Sequence, residues 1–232
     1  MTITNFVDQL GANLQESLEM TEVLGHDCKE FYDAIQNGGS QSQRRAYVRS
    51  VFAFVEGVTY RMKETARQYG TGLSKLSAEE LFALNDLSIE VNADGEITSK
   101  PSYPKFLNNF KFVFRMYSKV FGSTYNLDCG NSGWENLKKA NKVRDRLVHP
   151  KNVADLDVLN AEIAASKKAF DWFLLNHGLL NLYAQKAVQS NSKPAPNVVA
   201  DLEQRISTLE EIMINKGFKV RNTPLKKSSE NK

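Results

Sequence analysis

The chain has 232 residues, 41% hydrophobic and 25% charged, with a formal net charge of +3; this is ordinary for a globular protein and permits nucleic acid as a partner without requiring it. No apolar run approaches the ~20 residues that span a bilayer, and MTITNFVDQLGANLQESLEM at the start lacks the basic and apolar regions of a signal peptide, so no membrane partner and a cytoplasmic location are expected. Cys28 and Cys129 form no CxxC pair and the three histidines are scattered, so no disulfide framework, metal or cofactor is indicated.

In chain order, Phe6, Leu10, Leu14, Leu18, Phe31 and Ile35 give helical spacing from about Asn5 to Gln36, and Asn37-Gly38-Gly39-Ser40 breaks it. Gln43 to Tyr69 is the most regular helix, with Val48, Val51, Val55, Val58 and Met62 on its core face. One flank carries Arg45, Arg49, Glu56, Lys63 and Arg67, with Phe52 and Tyr60 among them. Basic residues interleaved with aromatics suit a single-stranded RNA contact; the plain alternative is a solvated helix face. Glu56 is the odd acid in that stripe. It can pair with Arg49 or Arg61, or reach an inward Arg from another helix, such as Arg144.

Gly70 to Gly72 ends that helix, and Ser77 with Glu80 reads as the capping box of a short one. Ser88 to Ser99 alternates around Asp94-Gly95, which predicts a small β-hairpin insertion. Lys105 to Phe121 is apolar on one face, through Phe106, Phe110, Val113, Phe114, Tyr117 and Val120, and suits a bundle core. After a loop over 122–133, Trp134 to Lys151 reads as a helix stopped by Pro150. Asp155 to His177 predicts a further helix with His177 as its C-cap before Gly178, and His26 reads as a surface or kink residue. SNSKPAPN at 190–197 is a linker by composition. Leu202, Ile206, Leu209 and Met213 mark an extra helix. The expected fold is all-α: an up-and-down bundle of four to five long helices over 1–188 with the hairpin inserted. A linker at 189–197, a C-terminal helix at 198–217 and a basic, unstructured tail at 218–232 follow.

The stretch richest in chemistry is WENLKKANKVRDRLVHPK, 134–151. Its last turn gathers Arg144, Asp145, Arg146 and His149. Imidazole moves protons near neutral pH and guanidinium grips a phosphate through paired hydrogen bonds. Leu137, Ala140, Val143, Leu147 and Val148 form an apolar stripe that includes Arg144, a position costly for an Arg unless it is paired or faces a polar cavity. Arg144 and His149 stand roughly 140° apart on a continuous helix. Pro150, which disfavours the α conformation at His149, offers one way to bring them together; a dimer in which each subunit completes the other's site offers a second. Asp145 lies four residues before His149, on one face, and can orient the imidazole. The plain alternative is that cations near a helix C-terminus simply favour the macrodipole and its orphan carbonyls.

Arg144-Asp145-x-x-x-His149 at the end of a long helix resembles the signature of the HEPN superfamily, an Arg, four to six residues, then His, with a polar residue after the Arg. The phrases RDRLVHPK and RRAYVRSVFAFVEGVTYRMK carry the same likeness, over roughly residues 1–185. The resemblance implies a four- or five-helix bundle, usually dimeric, with two motifs facing across a cleft. Many members are metal-independent endoribonucleases of toxin, phage-defence or RNA-processing systems, and others bind nucleotides or RNA without catalysis. His149-Pro150-Lys151 departs from the His-x-Tyr ending of toxins that pair with nucleotidyltransferase antitoxins. What the resemblance implies is an endoribonuclease cleaving single-stranded RNA to a 2′,3′-cyclic phosphate through a composite homodimer site, with an antitoxin or regulatory protein as a further partner. Arg144, His149 and Asp145 would be catalytic; Arg146, Lys151, Arg45 and Arg49 would guide RNA; Glu56 would support them. The alternative is a non-catalytic bundle that binds RNA, a nucleotide or a protein.

Overall fold

The computed structural model describes residues 3–190 and 196–220, with side chains of the first helix from residue 16 onward. The fold is all-α apart from one hairpin. Its helices are α1 (Ile3–Gln36), α2 (Gln41–Gly72), α3 (Ala78–Leu84), α4 (Phe106–Phe121), α5 (Ser132–Val148), α6 (Asn160–Ser190) and α7 (Pro196–Asn215), with strands β1 (Leu87–Val91) and β2 (Ile97–Pro101) between α3 and α4. The side chains of Phe6, Leu10 and Leu14, the middle of the expected linker and the tail beyond Val220 lie outside the described residues.

Local chemistry places the elements. Ser40 accepts from the Gln43 amide at 3.3 Å while Gln43 Oε1 accepts from the Ser40 amide at 2.8 Å, a capping box that starts α2. Ser77 and Glu80 do the same for α3. In the hairpin, Val91 faces Ile97 and Glu90 faces Thr98. Its turn is held by Asn92 Oδ1, which accepts from the amides of Asp94 and Glu96, and Gly95 takes φ +79°. An ion pair between buried Lys63 of α2 and Asp86 ties the hairpin's base to the bundle.

α2 is the central strut, packed on α1, α4, α5 and α6, while α5 lies along α6 and α7 covers α6. Phe110 of α4 sits at the middle of the core, its ring against those of Phe114, Trp134, Trp172 and Phe173. Each large side chain so buried contributes about 1.5–3 kcal/mol of hydrophobic stabilisation.

Three sequence expectations need correction. Residues 155–159 are not the first turn of α6. Asn152 and Asp155 form a local capping box around a 3₁₀ turn, Val153–Leu156, and Val158 is then buried before α6 begins. Val158 is anchored by Gln41, whose Oε1 accepts from its amide at 2.8 Å, and by Arg44, which donates to its carbonyl at 3.1 Å. His177 is not a C-cap: α6 runs through Gly178 to Ser190, because Leu179, Leu180, Leu182 and Ala184 continue its buried face. Residues 218–220 are not loose either, since Phe218 is buried, Val220 packs on the same core, and the Phe218 amide donates to the Met213 carbonyl at 2.9 Å.

Candidate functional site

α5 carries the site. Asn131 caps its start, accepting from the Trp134 amide at 3.1 Å. Gly133 lets the first turn close on α6, since a Cβ there would meet Trp172 Cδ1 at 2.1 Å. Leu137, Ala140, Val143 and Leu147 are buried, which fixes the rotation of the helix and sets Arg144 at the edge of the apolar stripe, facing α2.

There the Arg144 side chain is 28% exposed and ion-paired with Glu56 of α2 through Nη2. Its Nη1 donates to Asp145 Oδ1 at 3.0 Å, and its guanidinium carbon stands 5.9 Å from the centre of the Phe52 ring. Of the three partners open to Glu56, Arg144 is the one it meets; Arg61 pairs with Glu16 at 3.0 Å and Arg49 donates to a carbonyl. Burial pushes the Glu56 carboxyl above its ordinary value, Arg144 pulls it back in part, and the neighbouring Asp145 carboxylate pushes it up again. The ion pair and the upward push coexist because one partly exposed guanidinium, shared between two carboxylates, does not repay the desolvation of Glu56.

Asp145 does not hold His149. Its other oxygen, Oδ2, accepts from Asn141 Nδ2 at 3.0 Å, so both oxygens face Asn141 and Arg144. Asn141 was absent from the sequence reading, although its i, i+4 spacing to Asp145 was a usable signal. His149 is the C-cap of α5. Its amide still bonds to the Asp145 carbonyl at 3.0 Å, yet its φ of −126° and ψ of 59° leave the helix, the effect expected before Pro150. Its side chain is exposed. At 100° per residue the His149 Cα stands roughly 140° around α5 from that of Arg144, and no hydrogen bond or ion pair joins the two among the described residues.

The residues expected to guide RNA divide. Arg49 donates to the Leu147 carbonyl at 3.2 Å and Arg45 to the Leu156 carbonyl at 3.1 Å, so both close orphan carbonyls at the end of α5 and in the 3₁₀ turn. Further along that stripe Lys63 is held by Asp86 and Arg67 by Glu64. Arg146 projects from the opposite flank of α5, where its Nη2 donates to the Asp157 carbonyl and to Glu162, each at 2.9 Å. Lys151 is exposed just past His149. Of the other histidines, His26 is exposed on α1. His177 stacks on Phe173 at 5.9 Å and meets Asn181 at 3.0 Å; burial pushes its imidazole down to about 4. No helix among the described residues is long and apolar enough to cross a membrane. No protein-family model, curated protein or solved structure matches the chain.

Proposed function

We propose that the protein is a metal-independent endoribonuclease of the HEPN type, built as a homodimer with a composite site. The observation that carries this reading is the placement of His149: an exposed imidazole turned out of α5 by Pro150, five residues beyond an Arg anchored at the helix's inner edge. The separation of Arg144 and His149 around one helix supports a site completed by a second copy. Val148 and Val153, 49% and 82% exposed beside His149, offer apolar surface for that contact.

In the reaction the RNA 2′-oxygen bonds to the adjacent phosphorus and the bond from phosphorus to the 5′-oxygen breaks. The products are a 2′,3′-cyclic phosphate and a 5′-hydroxyl. One His149 accepts the 2′-hydroxyl proton and the partner's His149 gives one to the leaving oxygen. Arg144 stabilises the charge that builds on the phosphoryl oxygens. Asp145 and Glu56 hold the guanidinium in place until a phosphate takes over part of its hydrogen bonding.

A second reading rests on one observation: Arg144 already faces two carboxylates, Glu56 and Asp145. An Arg so matched serves as a strut between α2 and α5, and the bundle then binds RNA, a nucleotide or a protein without cleaving. Cleavage of labelled single-stranded RNA by purified protein in EDTA separates the two. Cyclic-phosphate ends that vanish with His149→Ala support the nuclease. Tight RNA binding with no cleavage by the unaltered protein supports the second reading.

A further inference from the structure

The other flank of α5 faces α6 across a groove of about 420 Å³ lined by Asn136, Lys139, Lys142, Arg146 and the small side chains of Ala161 and Ala165. The three cations recur at three and four residues, so they share one face and span roughly 10 Å along the axis. Lysines nearby are neutralised: Lys138 by Glu135 at 2.7 Å and Lys167 by Asp171 at 2.6 Å. Lys139 and Lys142 are exposed and have no ion pair among the described residues. The acid in the groove, Glu162, is engaged, its Oε2 accepting from Arg146 and from the Leu159 amide at 2.9 Å. Those bonds fix the Arg146 fork, while its Nε–H is buried with no acceptor.

We infer that this groove holds the phosphodiester backbone of single-stranded RNA, with the exposed Lys139 and Lys142 donating to phosphates along the strand and Arg146 adding its charge at the groove's end. The inference rests on the nuclease reading for the choice of RNA. The groove also leads to the right place. The His149 amide keeps its helical bond, so its Cα keeps the helical azimuth, roughly 60° from Arg146 and 140° from Arg144. A strand lying on Arg146 therefore runs toward the backbone position of His149. Alanines in the wall let the backbone approach α6, and the chemistry needed is that of a row of phosphates, independent of base sequence.

The test uses full-length protein carrying His149→Ala, so that RNA stays intact, and a fluorescent 12-nucleotide single-stranded RNA titrated at several salt concentrations. Lys139→Gln with Lys142→Gln should weaken binding on the order of tenfold and flatten the log Kd against log salt slope by about 1.4, at ~0.7 per phosphate contact. Both positions are exposed, so circular dichroism should be unchanged. Lys111→Gln with Arg115→Gln, on α4, where Lys111 lies over the Trp134 ring at 4.6 Å, should alter neither quantity. An unchanged slope in the groove variant, or an equal loss in the α4 variant, overturns the inference. Groove-dependent binding by an unaltered protein that never cleaves removes the nuclease reading and leaves the groove standing. Cleavage at parental rates, under limiting RNA, by the double Gln variant with histidine intact removes the groove alone.

Discussion

The two flanks of α5 differ in how their cations are matched. On the flank facing α2, Arg144 meets the carboxylates of Glu56 and Asp145 and the face of Phe52. On the flank facing α6, three cations line one groove whose single acid, Glu162, pairs with Arg146 alone. In the sequence both look alike: basic residues on a helix with an apolar stripe. Whether a charge is available to a ligand is decided by the helix packed beside it. The anchored flank suits fixed electrostatic stabilisation, which gains from being held rigidly before reaction. The open flank suits attraction of a long polyanion.

On the proposed nuclease reading, the heaviest losses of activity fall at the end of α5. His149→Ala should reduce RNA cleavage by about 10²–10⁴-fold and Arg144→Ala by about 10²–10³-fold, read as initial rates in EDTA with circular dichroism as the folding control. His26→Ala should leave the rate unchanged. A fast His149→Ala enzyme would end the claim that this histidine is catalytic.

His177 gives the internal contrast to His149, an imidazole inside α6 rather than at a helix end. Its folded value of about 4 lies below its ordinary 6.5, so the neutral ring stabilises the fold above pH 6.5 and that contribution is lost as pH falls from 6.5 toward 4. A shift of that size corresponds to about 3 kcal/mol at most, and nearer about 2 given the ring's residual contact with solvent. Urea melts across that window should show the loss, and His177→Phe should flatten it; equal slopes would place the acid sensitivity elsewhere.

Gly133→Ala probes the α6 side alone. Its Cβ would collide with Trp172, and overpacking of this kind costs about 1–3 kcal/mol. Thermal melts should register the loss. An unaltered melting temperature would mean the seam between α5 and α6 yields more easily than its packing suggests.

The smallest effect has an informative sign. Burial raises the Glu56 carboxyl, so its stabilising contribution is fullest at pH values below the ordinary carboxylate range and is lost as pH rises through the folded value. Glu56→Gln, which mimics the protonated form, should leave Tm at pH 7 unchanged or slightly higher. A clear drop would show that the charge on Glu56 is needed to seat Arg144.

The fold was legible wherever the signal was local. The capping box at Ser77 and Glu80, the Asp94-Gly95 turn, the valine face of α2 and the stop at Pro150 each depend on residues a few positions apart. The failures came where distant partners decide. Gly178 reads as a helix end, yet it lies inside α6, where a Cβ would stand 3.1 Å from Leu209 of α7; its smallness accommodates a neighbouring helix. Asp155 reads as a helix start, but Gln41 and Arg44 hold Val158 from more than a hundred residues away. Within the site, spacing marked Arg144 as an inward cation and offered Glu56 as one of its partners. It could not show that Arg45 and Arg49 spend their guanidinium groups on carbonyls of another segment, nor that Asn141 turns Asp145 away from His149.

That clasp has a bearing on how the protein is made. Arg49 reaches Leu147 across 98 positions, and Gln41 reaches Val158 across 117. Contacts of such separation close large loops and form late. During synthesis α2 emerges long before the segment it grips, so in a growing chain that stops short of Val158 the Gln41 and Arg44 side chains lack the backbone they hold in the finished fold. The arrangement ties the seating of the segment between α5 and α6 to near completion of the bundle.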